Sequence, residues 1–228
     1  MALLDQAQII LHEWVQSESL RKHCYAVSAS MQHFAQLRGE NADLWGAVGL
    51  LHDMDYERYP VLGTDPTSNH PFVGVAWLGE HGWSDEVTRA ILSHADYSGV
   101  EPVSPMEKTL RAVDELSGFV TACALVKPTK SVHDVDITSV KKKMKDKAFA
   151  RAVHREDIVK GAEMLEQPLD EVIQQVIDAL RADAPRLGLG GTGHGLGGYG
   201  GSVGAVYNPA PTLPACPIPW FRPDAWPS

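Results

Sequence analysis

Six residues between positions 23 and 114 pair imidazole and carboxylate chemistry with positions where a helix faces its core. His23 follows Leu20 by three and precedes Val27 by four, His52 follows Val48 by four, and His70 precedes Val73 by three. His94 follows Ala90 by four and Ile91 by three, and Asp114 follows Leu110 by four. Asp53 stands directly after His52 in "GLLHDMDYE". Residues three or four apart share a helix face, so these groups lie on or beside apolar stripes. One histidine on such a face is ordinarily a satisfied core residue. Five successive helices that each bury a polar group call for a common partner, because an unpaired polar group in a core costs several kcal/mol. Four imidazoles and two carboxylates, with no thiolate, satisfy one another through divalent transition metal.

The elements that must position them are read from apolar periodicity and punctuation. The pattern predicts helices over Leu3–Val15, from Ser19 to before Gly39, from a cap at Asn41 to His52, and from His70 to Gly82. Ser84 caps a fifth, and the box Ser104-Pro105-Met106-Glu107 opens a sixth that reaches about Val126, before Pro128. Further helices are expected over Ser139–Lys147, Arg155–Leu165 and Leu169–Ala182. No segment sustains strand alternation, so the predicted class is all-α. The helical bundle is expected to occupy residues 1–187. Residues 188–228 begin with "GLGGTGHGLGGYGGSVG", ten glycines in seventeen residues, and continue rich in proline. That tail is predicted to be disordered, since it cannot offset its ordering entropy by burial. It reads as a dispensable extension or as a partner-binding segment that uses Trp220 and Trp226.

Composition narrows the partner. A net charge of −9 disfavours broad attraction to nucleic acid or anionic lipid. Cys24, Cys123 and Cys216 form no CxxC pair, which argues against a disulfide framework and points to a reducing, cytoplasmic setting. No secretory leader and no apolar run of membrane-spanning length is apparent. The expected partner is therefore a small molecule, not a membrane or a nucleic-acid polymer. Against the acidic background, Ser139–Arg155 carries seven basic residues and one acid, Asp146. It is either a solvated helix face or a rim that attracts phosphate, with Lys142 and Lys145 as candidate contacts. Lys127 and Lys130, after the helix bearing Asp114, are candidates for a place near a bundle mouth.

The order His23, His52-Asp53, Asp114, in "RKHCYAV", "GLLHDMDYE" and "RAVDELSGF", resembles the HD-domain superfamily of metal-dependent phosphohydrolases. His70 in "NHPFVGVAWL" and His94 in "AILSHADY" match the two extra histidines of its dinuclear subset. The resemblance covers about residues 10–185 and is greatest to the small single-domain predicted hydrolases, which carry a basic stretch like "SVKKKMKDKAF"; the tail has no counterpart there. It implies an HD-type helical bundle in which His23, His52, Asp53 and Asp114 hold one ion and His70 and His94 a second, with Asp53 bridging. It implies hydrolysis of a small phosphorylated metabolite or nucleotide. Two divalent ions are implied, iron or manganese before zinc, because this ligand set suits higher coordination numbers. Where some members have a catalytic glutamate three residues after the paired aspartate, this chain has Tyr56. The candidate catalytic residues are Asp53 and Glu57, the acid one place after Tyr56. The same six ligands also occur in mixed-valence di-iron oxygenases, and a non-catalytic ligand-sensing module is a third reading.

Overall fold

The computed structural model describes residues 1–191. The predicted disorder of the tail therefore falls, from residue 192 on, outside the described residues. Ten helices follow in chain order: α1 (Leu3–Trp14), α2 (Glu18–Arg38), α3 (Ala42–Leu51), α4 (Phe72–Glu80), α5 (Asp85–Ser93), α6 (Pro105–Leu125), α7 (Ile137–Met144), α8 (Arg155–Met164), α9 (Leu169–Ala182) and α10 (Ala184–Leu187). Short 3-10 turns cover Asp96–Ser98 and Val132–Asp134, and the described residues form no strand. The class is all-α, as the periodicity predicts. None of these helices is long and apolar enough to cross a membrane.

The two longest helices, α2 and α6, pack on each other, with α3 and α9 also laid against α2 and with α8 against α6. Two glycines permit the closest approaches. A Cβ on Gly49 would lie 2.7 Å from the Ser28 Cα, and one on Gly161 would lie 2.5 Å from the Ala112 Cα. Either would drive one helix backbone off its neighbour. Between these helices Phe34, Leu50, Leu51, Leu110, Leu116 and Phe119 are fully buried.

Capping sets the helix starts. The Ser17 side chain accepts from the Leu20 N–H, and Asn41 accepts from the Leu44 N–H at 3.1 Å. Ser104 and Glu107 form the predicted capping box at the head of α6. Two starts depart from expectation: α4 begins at Phe72, which leaves His70 in the preceding loop, and α7 begins early. Asp136 accepts from the Ser139 N–H at 2.7 Å, so α7 begins at Ile137 and not at Ser139, and it ends at Met144. The end of the bundle also lies beyond the expected boundary at residue 187. Leu189 is 1% exposed and its carbonyl accepts from the Val132 N–H at 2.9 Å, so the packed unit includes the first residues of the glycine-rich segment.

Candidate metal centre

All six predicted residues converge on one volume in the middle of the bundle. His23 comes from α2, His52 and Asp53 from the end of α3, and His70 from the loop before α4. His94 caps the end of α5, and Asp114 comes from the middle of α6. The donor atoms fall into two groups, His23–His52–Asp114 and Asp53–His70–His94, each with its atoms within 4.8 Å of one another.

Asp53 joins the groups through its two oxygens. Its Oδ2 lies 3.6 Å from His23 Nε2 and 3.5 Å from His52 Nε2, while its Oδ1 lies 3.2 Å from His70 Nε2 and 3.5 Å from His94 Nε2. Asp114 Oδ1 lies 3.1 Å from His23 Nε2 and 3.4 Å from His52 Nε2. The far nitrogens of three rings are anchored outward. His52 Nδ1–H donates to the Gly49 carbonyl at 2.8 Å, His94 Nδ1–H donates to the Ile91 carbonyl, and His70 Nδ1–H donates to Asp55 Oδ1 at 2.6 Å. That tautomer leaves each Nε2 lone pair aimed inward.

The volume is therefore lined by acceptors facing acceptors. His23 Nε2 and His52 Nε2 stand 3.2 Å apart, a separation that two lone pairs tolerate only with a cation or proton between them. Without a metal, protons take that place. Burial opposes a charge on His52, but Asp53 and Asp114 outweigh it and raise its pKa to about 9. His70 is likewise opposed by burial and raised to about 9 by Asp53 and Asp55. Burial pushes Asp53 and Asp114 up, but the surrounding imidazoles, His52 foremost, hold both below the ordinary carboxylate range. The residues fit divalent metal on the chemistry of this donor set.

Access is one-sided. The side chains of His52, His70 and His94 are 0%, 3% and 7% exposed, whereas those of His23 and Asp114 are 25% and 21% exposed. Anything that approaches from solvent meets His23, Asp53 and Asp114 first. Cys24, beside this cage, has its thiol pushed well up by burial and by Asp53 and Asp114.

Three neighbours escape the sequence reading. Asp55 is 1% exposed and bonds His70. Arg111, one turn before Asp114, donates to the His94 carbonyl and to Asp96, which ties the end of α5 to α6. Tyr97 is half-buried on the 3-10 turn Asp96–Ser98, where burial and the Asp53 and Asp55 carboxylates push its phenol up. Its hydroxyl is therefore a neutral donor. Asp55 carried the only visible signal, a third acid in "HDMDYE"; the other two sit beside His94 and Asp114 without any spacing that marks them.

The remaining candidates form no hydrogen bond or ion pair with a cage residue among the described residues. Glu57 Oε2 accepts from the Gln16 and Ser17 N–H groups, both at 2.9 Å, so this carboxylate caps the start of α2. Tyr56, which precedes it, sets its ring edge-on to His70 with centroids 5.1 Å apart. At the rise of a helix, Leu125 lies roughly 16 Å along α6 from Asp114, and Lys127 and Lys130 follow it. They belong to the far end of α6 and not to the cage. Lys142 and Lys145 are exposed, and no hydrogen bond or ion pair among the described residues joins them to a cage residue. Within the basic run, Lys141 pairs with Asp170 at 2.8 Å and Lys143 lies over the Phe149 ring.

Compared with known proteins, the chain matches no family model, no curated protein and no solved structure.

Proposed function

We propose that the protein is a metal-dependent phosphohydrolase that cleaves a phosphoester of a small metabolite or nucleotide in the cytoplasm. One observation carries the reading: Asp53 turns one oxygen to His23 and His52 and the other to His70 and His94, an arrangement in which one carboxylate could serve two ions. The order of the six residues, which resembles the dinuclear HD-domain hydrolases, supports the same reading.

Two divalent ions, iron or manganese, would be held by His23, His52 and Asp114 on one side and by His70 and His94 on the other, and would supply the Lewis acidity that activates water and offsets phosphoryl charge. The chain's own residues do the rest. The outward bonds of His52, His70 and His94 fix which ring nitrogen faces the centre. Arg111 holds the end of α5 against α6, which keeps His94 and Asp114 in register. The open side at His23 and Asp114 would admit substrate, and we assign the neutral Tyr97 hydroxyl as a donor to one of its oxygens. The Glu57 carboxylate engages the start of α2 through Oε2.

The test is Mn(II)-loaded protein, incubated anaerobically in oxygen-labelled water with a panel of phosphomonoesters and nucleotides. Inorganic phosphate that carries the solvent label is expected, and Asp53→Ala should lose both the activity and the bound metal. Turnover that demands iron and dioxygen would replace this reading with the oxygenase one, which uses the same cage. Two bound ions with no turnover under either condition would favour the ligand-sensing module.

A further inference from the structure

The two halves of the cage are not equally supplied with charge. On one side, His23 and His52 have a carboxylate of their own, Asp114, besides their share of Asp53. On the other, His70 and His94 have only their share of Asp53. The outer partner of His94 is a neutral carbonyl, as is that of His52. Among the described residues, His70 is the only one of the four rings that donates outward to a carboxylate.

That carboxylate, Asp55, is 1% exposed, and among the described residues its one ion-pair partner is His70. Its second oxygen accepts from the Gly74 N–H at 2.7 Å, at the start of α4. Carrying an acid this deep without Lys or Arg costs several kcal/mol unless the charge is used. Its surroundings hold it in one place: a Cβ on Gly74 would lie 3.0 Å from the Asp55 Cγ and 3.1 Å from Oδ2. The chain thus leaves out a side chain at position 74 where the carboxylate must sit.

We propose that Asp55 is a positioning residue, which acts through His70 to give the Asp53–His70–His94 half of the centre the negative charge and ring orientation that Asp114 gives the other half directly. The inference rests on the metal-centre reading and not on the reaction. A carboxylate behind a ligating imidazole fixes the tautomer and makes the facing nitrogen a stronger ligand, and its loss costs about 10–100-fold in metal affinity. The effect is confined to one ion. His23, His52 and Asp114 form no hydrogen bond or ion pair with Asp55 among the described residues.

The experiment is a Mn(II) titration of the full chain, read by calorimetry and by the magnetic coupling between neighbouring ions. Wild type is expected to take up two ions with a coupled spectrum. Asp55→Asn keeps a hydrogen-bond acceptor but removes the charge. It should retain one ion at wild-type affinity, bind the second at least tenfold more weakly, and give an uncoupled signal at one equivalent. Gly74→Ala changes no cage residue and pushes first on the Asp55 carboxylate; it should weaken the same ion to a lesser degree. Unchanged binding in both variants, or equal weakening of both ions, would overturn the proposal. So would failure of both variants to fold without metal, which would make Asp55 a structural strut. Wild type that binds no Mn(II) would remove the metal-centre reading as well, whereas two bound ions without phosphoester turnover would touch only the proposed reaction.

Discussion

Protons and metal compete for the same lone pairs in this cage, and the outcome depends on pH. In metal-free protein His52 and His70 have pKa values raised from 6.5 to about 9 by neighbouring carboxylates, against the opposing pull of burial. A raised pKa contributes stability that is complete below the unfolded value near 6.5 and is lost as pH climbs through 9. Asp53 and Asp114, held low, contribute stability above about 4 that is lost only in stronger acid. Metal-free protein is therefore expected to melt at its highest temperature between about pH 4 and 6.5 and progressively lower toward pH 9. Metal binds the deprotonated rings, so the gain in melting temperature on adding Mn(II) should grow across the same interval. Melting curves with and without metal from pH 5 to 9.5 check both trends, and a gain that shrinks with rising pH would contradict them. The convergence of the six cage residues was legible in the sequence because His23, His52, His94 and Asp114 sit at helical spacing from apolar stripes, with Asp53 directly after His52 and His70 three residues before Val73. Asp55 was not, since it lies in the irregular turn after α3, where no periodicity assigns a side chain its direction. Nor was the commitment of Glu57 to Gln16 and Ser17, a contact across forty residues of chain.

At the scale of elements, the cage is only as precise as the contact between α2 and α3, because His23 and His52 come from those two helices. Gly49 governs that contact and also supplies the carbonyl that orients His52. Its missing side chain faces the backbone of Ser28, with the Cα at 2.7 Å and the nitrogen at 2.8 Å, and backbone cannot swing aside as a flexible side chain does. Gly49→Ala should therefore cost about 1–3 kcal/mol or more through overpacking, despite the better helix propensity of alanine. It should also weaken metal binding, since His52 moves with α3. Urea unfolding of metal-free protein and a Mn(II) titration measure the two effects separately; a stabilised variant with normal metal uptake would show that the helices have room to relax. Helix existence was legible from apolar stripes and caps, as at Asn41 and Ser104. Boundaries were less so: the Asp136 cap moved the start of α7, and the short α10 that leads into Gly188 carries too few residues to show a period.

For the molecule as a whole, the all-α class was legible, since no segment alternates as a strand does, but the edge of the packed unit was not. Composition changes at Gly188, and a boundary drawn from composition falls there. Packing puts it later. Gly188 adopts a left-handed conformation with φ of 70°, which ends α10 and turns the chain back over the bundle. Leu189 then enters the core with Leu187, and its backbone bonds Val132, in the turn that follows α6. A single leucine among glycines has no periodicity to announce its burial, yet fully burying it is worth about 1.5–3 kcal/mol. Two truncations separate the readings. Ending the chain after Gly191 removes only the segment whose composition predicts no packing, and should leave the melting temperature and Mn(II) content at wild-type values. Ending it after Leu187 also removes Leu189 and the Val132 bond, and should lower the melting temperature by several degrees, given about 2–4 °C per kcal/mol for a domain of this size. Equal melting of the two truncated chains would place Leu189 outside the cooperative unit, and a loss of metal on ending at Gly191 would bring the glycine-rich segment to the open side of the cage.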